Sequence, residues 1–262
     1  MFMNLLQPYV QKNAKEYQSM RGSGEHIFEY YAFEEEPTAQ PINAVPDGCV
    51  DLLYAIGKDD VRCFLGGTVL KMKYWPFEKN RTYFGIRFLP GQCILPKGIS
   101  IGDIINTDLE IPSDAYGAKI DEALSQAKSM RERASIIHKT LAEAGQKHTP
   151  TDAKGNIEAY IRNRIYETKG NVSIKEIAQD TGYSECYVRR TFHEMHGISP
   201  KTFEKIVRFQ NTLEEMALHK DEAFYDMAQE SGYYDQSHMV KEFKNFTGLT
   251  PEKYMKYMMN VE

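Results

Sequence analysis

The sequence predicts an α+β protein with a β-rich N-terminal half and an all-helical C-terminal half. Three observations carry this. From Glu25 to Leu109, short runs rich in aromatic and β-branched residues alternate with turn signals. From Tyr116 to Ala144, apolar residues recur with steps of 3 and 4. From Ile174 to Tyr254, one helical unit is written twice. The expected boundaries are 1–115 for the β-rich part, 116–145 for a helical segment, 146–155 for a linker and 156–262 for the helical domain.

In chain order, strands are expected at Ile27–Phe33, Cys49–Ile56, Val61–Leu65, Val69–Tyr74 and Tyr83–Phe88. Pro46-Asp47-Gly48, Gly57 to Asp60, Gly66-Gly67 and Pro90-Gly91 break the chain between or after them, which suits a small barrel or sandwich. Tyr83–Phe88 alternates, with Phe84, Ile86 and Phe88 on one face and Tyr83, Gly85 and Arg87 on the other. Arg87 either faces a lumen and holds an anionic effector, or lies at the solvent side or beside a carboxylate such as Asp51. Tyr30, Tyr31, Tyr54, Trp75 and Phe77 suit an apolar pocket and a filled core equally.

The helical seam comprises Ile120, Ala123, Ala127, Met130, Ala134, Ile137, Leu141 and Ala144. It makes either a dimer contact or, if the chain breaks near Ser129, an antiparallel pair packed on the barrel. Gly145 to Gly155 then reads as an exposed linker.

The duplication is marked by Ile177-Ala178, Gly182-Tyr183 and Gly197-Ile198-Ser199-Pro200, then Met227-Ala228, Gly232-Tyr233 and Gly248-Leu249-Thr250-Pro251. Ala178 to Ala228 is a step of 50, and Phe192 to Phe243 is a step of 51, so one extra residue follows the second copy's first glycine. Each copy reads as helix, tight turn, helix. Ser173 with Glu176 forms a capping box, Ser184 and Asp235 cap the second helices, and Gly197 and Gly248 close them. Ser199-Pro200 opens a long helix reaching about His219.

The second helix of each copy has two faces. Val188, Phe192 and Met195, and in the repeat Met239, Phe243 and Phe246, form apolar stripes that should pack inward. Opposite lie Cys186, Arg189, Arg190 and His193, and in the repeat Ser237, Val240, Lys241 and Lys244, donors suited to base edges and phosphates. For one helix a solvated charged face explains this as well; two matching copies argue for DNA.

At these residues the chain resembles the AraC/XylS family of bacterial transcription regulators, over roughly Asn156 to Tyr257. The resemblance implies two helix-turn-helix motifs joined by a long helix and reading double-stranded DNA. By family usage the base-reading positions are Cys186, Arg189 and Arg190, then Gln236, Ser237, His238 and Lys241. It also implies an N-terminal effector-sensing barrel of cupin type, a homodimer, and RNA polymerase as partner. The chain departs from the family at Glu185 and Cys186. From Gly155 to Glu262 it carries 14 Lys and Arg against 17 Asp and Glu, where a DNA-binding domain is usually basic.

Composition excludes other classes. A net charge of −5 with 42% hydrophobic residues, and no run of 18 apolar residues, suits a soluble cytoplasmic protein rather than a membrane or secreted one. Cys49, Cys63, Cys93 and Cys186 form no close pair, so reduced thiols and no zinc site are expected. The alternative function is a cupin-like metal-dependent enzyme with an appended DNA-binding domain. His26 is the only histidine before His138 and no nucleophile elbow or phosphate loop is present, so neither cofactor, metal nor catalytic residue is assigned.

Overall fold

The structure, a computed structural model, describes residues 5–22, 26–34, 42–145, 153–218 and 224–259. A short helix α1 (Pro8–Asn13) precedes the strands β1 (Lys15–Arg21), β2 (Ile27–Glu34), β3 (Asn43–Ala44), β4 (Val50–Ile56), β5 (Val61–Gly66), β6 (Lys73–Tyr74), β7 (Thr82–Phe88) and β8 (Asp108–Ile111). Six of them form an antiparallel sheet in the order β1-β2-β7-β4-β5-β8, and β3 pairs with β6. The α+β reading holds, but the barrel does not close. β1 and β8 end the sheet as separate edges, β8 is only four residues long, and helices rather than further strands cover one face.

Four expected strands are present within a residue or two. Of Val69–Tyr74 only Lys73–Tyr74 pairs, because the Met72 amide donates instead to the Phe246 carbonyl of the helical domain, at 2.6 Å. β1 and β8 escaped the reading for the opposite reason: as edges they lack the apolar run of a strand buried on both sides. Central β4 is buried along its whole length.

Of the two alternatives for the seam between the halves, the helix pair broken near Ser129 and packed on the sheet is the one formed. The chain breaks at Ala127–Ser129 into α2 (Ile120–Gln126) and α3 (Met130–Gly145). Ile120, Leu124, Ala134, Ile137 and Leu141 join Leu52, Tyr54, Phe84, Ile86 and Phe88 of the sheet in one core. Their outer neighbours Arg131, Glu132, Ser135, His138 and Lys139 face solvent. The sheet offers an apolar surface within the same chain, so the seam packs there.

The opposite sheet face is a filled aromatic core. Phe77 sits edge-on to Phe33 at 5.0 Å and to Tyr83 at 4.7 Å, and the Tyr31 ring lies where a Cβ on Gly85 would be. Strand register places Arg87 between Glu29 of β2 and Asp51 of β4. Its guanidinium donates to both Asp51 oxygens, at 3.0 and 2.9 Å, and to Glu29 at 3.0 Å, so of the alternatives for Arg87 the carboxylate pairing is the one formed.

The helical domain comprises α4 (Ala153–Glu167), α5 (Ile174–Thr181), α6 (Glu185–His196), α7 (Pro200–Leu218), α8 (Phe224–Glu230), α9 (Gln236–Thr247) and α10 (Pro251–Met259). α4 starts inside the expected linker; residues 146–152 and His219 lie outside the described residues. The caps form as read: Ser173 and Glu176 close a capping box, the side chains of Ser184 and Asp235 accept from Tyr187 and His238 amides, and Gly182, Gly197 and Gly248 are left-handed. No described helix is long and apolar enough to cross a membrane.

The two halves share a contact centred on α7. Its Gln210 accepts from the Leu6 amide at 2.7 Å and donates to the Pro46 carbonyl at 2.7 Å, and its Phe203 packs where Gly48 leaves room. Tyr9 of α1 meets Tyr254 and Tyr257 of α10, with ring centres 5.9 and 5.5 Å away.

Ile137 is 0% exposed under the sheet. Ile137→Ala should therefore lower stability by about 2–5 kcal/mol in urea unfolding, and leave the sedimentation behaviour of the folded chain unchanged. Dissociation without loss of stability would restore the seam to an intermolecular role.

Candidate nucleic-acid interface

Each helix-turn-helix unit buries one stripe of its second helix. Val188 and Phe192 of α6, and Met239, Phe243 and Phe246 of α9, are buried as expected, while Met195 is only half-buried. Every predicted reading residue lies at the surface: Cys186, Arg189, Arg190 and His193 on α6, and Gln236, Ser237, His238, Lys241 and Lys244 on α9. Sequence periodicity suffices for this, because a capped helix with one apolar stripe leaves the other side out.

Their partners differ. Arg189 bonds Glu185 one turn back at 3.1 Å, an exposed pair, so part of its donor fork is occupied. Arg190 instead lies over the Tyr187 ring, 5.5 Å from its centre. Lys241 and Lys244 are exposed, and His238 stands edge-on to Tyr233 at 5.4 Å.

Both α6 and α9 are anchored by buried polar groups that the sequence reading missed. On α6, His196 is buried and stacks on Phe192 at 3.8 Å, and its Nε2 lies 2.8 Å from Glu158 of α4. Burial holds the imidazole below its ordinary 6.5, against the opposing pull of Glu158. The contact is then an N–H donated by a neutral ring to a carboxylate, with Nδ1 carrying the lone pair, consistent with that atom having no donor to meet. Burial would raise Glu158 too, but the His196 bond and Arg162, at 2.9 Å, outweigh it and keep it low. On α9, Glu242 accepts two bonds from Arg208 of α7, at 3.1 and 3.2 Å, and Arg208 also donates to the Gly170 carbonyl at 2.6 Å. Three of the domain's 17 acids, Glu158, Glu204 and Glu242, are buried and do not face a ligand. Nothing in a linear pattern distinguishes an internal Glu from a solvated one.

The anchor of α6 reaches the N-terminal half. Gln92 donates to Glu158 at 3.2 Å, and Gly91 abuts the His196 ring so closely that a Cβ would fall 2.5 Å from Nε2. Beside it runs a groove of about 460 Å³, lined by His26, Cys93, Leu95, Lys97, Ile99 and the α6 residues Glu194 and Met195 among others. Among the described residues no group of three His, Cys, Asp or Glu side chains is placed to hold a metal ion.

Residues 177–257 match the family described as a helix-turn-helix domain. Over these residues the C-terminal region is a helix-turn-helix domain. Among similar proteins are two uncharacterised HTH-type transcriptional regulators of Staphylococcus aureus, SAS0078 of strain MSSA476 and SAR0107 of strain MRSA252. Each is 26% identical over 95 residues, which is 36% of this chain and 12% of the relative. The matched segment thus spans about an eighth of those longer proteins. Among solved structures, ToxT from Vibrio cholerae is 10% identical, with 93% of this chain and 99% of that chain covered and a TM-score of 0.44. The C-terminal domain of AraT, a response regulator from Geobacillus stearothermophilus, is 20% identical, with coverage of 38% and 84% and a TM-score of 0.37.

Both anchors of the helix-turn-helix domain lend themselves to measurement. The folded pKa of His196 lies below the unfolded value, so the unfolded chain binds the proton first, and stability is lost as pH falls below 6.5. Urea midpoints of wild type and His196→Gln, compared from neutral pH down to about 5, should show wild type losing its advantage on acidification; parallel curves would remove the assignment. Arg208→Ala strands Glu242 in the core and should cost about 3–5 kcal/mol, whereas Arg208→Met combined with Glu242→Leu should recover most of it on thermal melting.

Proposed function

We propose that the chain is a sequence-specific DNA-binding transcription regulator acting in the cytoplasm. One observation carries the proposal: two helices of the same plan, α6 and α9, are each capped, buried along an apolar stripe, and lined outward with donors. They flank the single long helix α7, so they would enter successive major-groove segments about 34 Å apart. Guanine readout falls to Arg190 rather than Arg189, whose fork is shared with Glu185. Gln236, Ser237, His238 and Lys241 are the base-reading set of the second helix, while His193 and Lys244 lie one turn further along, suited to phosphates.

A small-molecule effector belongs to the same proposal, and its place is the groove between residues 91–101 and α6. On the sheet, Tyr31, Phe33, Phe77 and Tyr83 pack on one another, a hollow of about 340 Å³ beside Trp75 and Phe77 lies away from both helices α6 and α9, and Arg87 is taken by Asp51 and Glu29. An occupant of the groove would press on Glu194 and Met195, at the end of a reading helix. Pairing of two copies and contact with RNA polymerase rest on the resemblance alone. Any surface for pairing differs from the apolar side of α2 and α3, which the sheet covers.

The test is a set of binding titrations with the full chain against single-base variants of a selected duplex at several salt concentrations. Arg190→Ala should relax preference at one base pair by about 1–3 kcal/mol. Lys244→Ala should weaken all sequences alike and reduce the salt slope by about one charge. If Arg189→Ala, Arg190→Ala and Lys241→Ala all leave affinity and preference untouched, the proposal fails.

A further inference from the structure

The structure changes how the two repeats align. The helix caps Ser184 and Asp235 are 51 positions apart, so the residue matching Tyr183 is Tyr234, and the inserted residue is Tyr233. Tyr233 turns inward and is buried, with the Arg208 guanidinium 5.6 Å from its ring centre. Tyr183 and Tyr234 do the opposite: they are 43% and 92% exposed, two of only five large apolar or aromatic side chains left exposed among the described residues. Each stands immediately before the cap of a reading helix.

The match continues along both helices. Tyr183, just ahead of α6, is followed at steps of 4 and 3 by Tyr187 and Arg190 on it, and Tyr234, His238 and Lys241 occupy the same places at α9. In the first unit these side chains form a ladder, the Tyr183 and Tyr187 rings stacked at 4.8 Å and Arg190 above Tyr187. Aromatic, ring, cation is therefore repeated on the exposed side of both units. Folding does not require the two leading tyrosines, because neither joins a core cluster and neither hydroxyl finds a partner among the described residues.

We propose that Tyr183 and Tyr234 are a matched pair of register contacts, each donating its phenol O–H to a phosphate of the DNA strand beside the point where its helix enters the major groove. The inference rests on the DNA-binding reading above. The position favours the backbone over a base: it precedes the first turn, whereas base-edge contacts come from side chains within the helix's N-terminal turns. The group favours it too, since tyrosine hydroxyls are common phosphate donors, and the ring holds the donor at fixed reach with little rotamer freedom. Ser184 and Asp235 each occupy one amide of the helix start, those of Tyr187 and His238, and the tyrosine adds a donor just ahead of the cap. A neutral donor releases no counterion, and its loss carries a signature distinct from that of a lysine.

The test uses the full chain and two duplexes of equal length, one selected from a random pool by the wild-type protein and one unrelated. Tyr183→Phe and Tyr234→Phe should each weaken binding to both duplexes about tenfold, with the dependence on salt unchanged, and the double variant about a hundredfold. Lys244→Ala in parallel should flatten the salt dependence. Full wild-type affinity in both Tyr→Phe variants while Lys244→Ala still weakens binding overturns the tyrosine assignment and leaves the DNA reading intact. So does a loss confined to the selected duplex, which would make these base contacts, or a loss seen only with Tyr→Ala, which would make the ring rather than the hydroxyl the contact. Failure of wild type to bind either duplex overturns the DNA reading itself.

Discussion

The burial of the middle of α7, Ile206 to Leu213, on all sides is the constraint from which the rest of the arrangement follows. Phe203 meets Phe192 of the first unit at 5.4 Å, and Phe209 meets Phe243 and Phe246 of the second at 5.2 and 5.0 Å. The N-terminal half leans on the same helix through Gln210 and Phe203. A buried guanidinium or amide left unpaired there would be costly, and Arg208 and Gln210 avoid that by bonding to four separate parts of the chain, Gly170, Glu242, Leu6 and Pro46. The spacing and orientation of the two reading helices are thus those of one packed rod.

Around that rod the polar anchors set angles rather than merely adding stability. Glu242 is fixed by two bonds from Arg208, which leaves α9 little freedom to roll. α6 is held by a single neutral imidazole that also touches Gly91 of the N-terminal half. The first unit therefore has the softer anchor, and that anchor adjoins the groove. A ligand in the groove would act on a helix end held by packing, the His196 bond and an exposed Lys154–Glu194 pair, which is where a modest binding energy can shift a balance.

The local grammar of the helical domain was legible in the sequence because it is carried by near neighbours. Ser173 with Glu176, Ser184, Asp235 and the closing glycines are decided within one turn of chain, and the stripes Val188/Phe192 and Met239/Phe243/Phe246 by the helical period. The exposed reading faces follow as the complement of those stripes. Strands β2, β4, β5 and β7 were legible for the same reason, their apolar runs being longer than any turn could hold.

What only the tertiary structure decided concerns partners far apart in sequence. The seam of Ile120 to Leu141 has the same spacing whether it meets a second copy or its own sheet, and the choice fell to the sheet because strands 52–88 present a matching apolar face. Arg87 acquired its partners from strand register, Glu158 and Glu242 from helix packing, and the alignment of Tyr183 with Tyr234 from which of two adjacent tyrosines turned toward Arg208. A sequence states which residues can be buried or charged; which of them meet is a property of the packed chain, since contact energy depends on distances that periodicity does not contain.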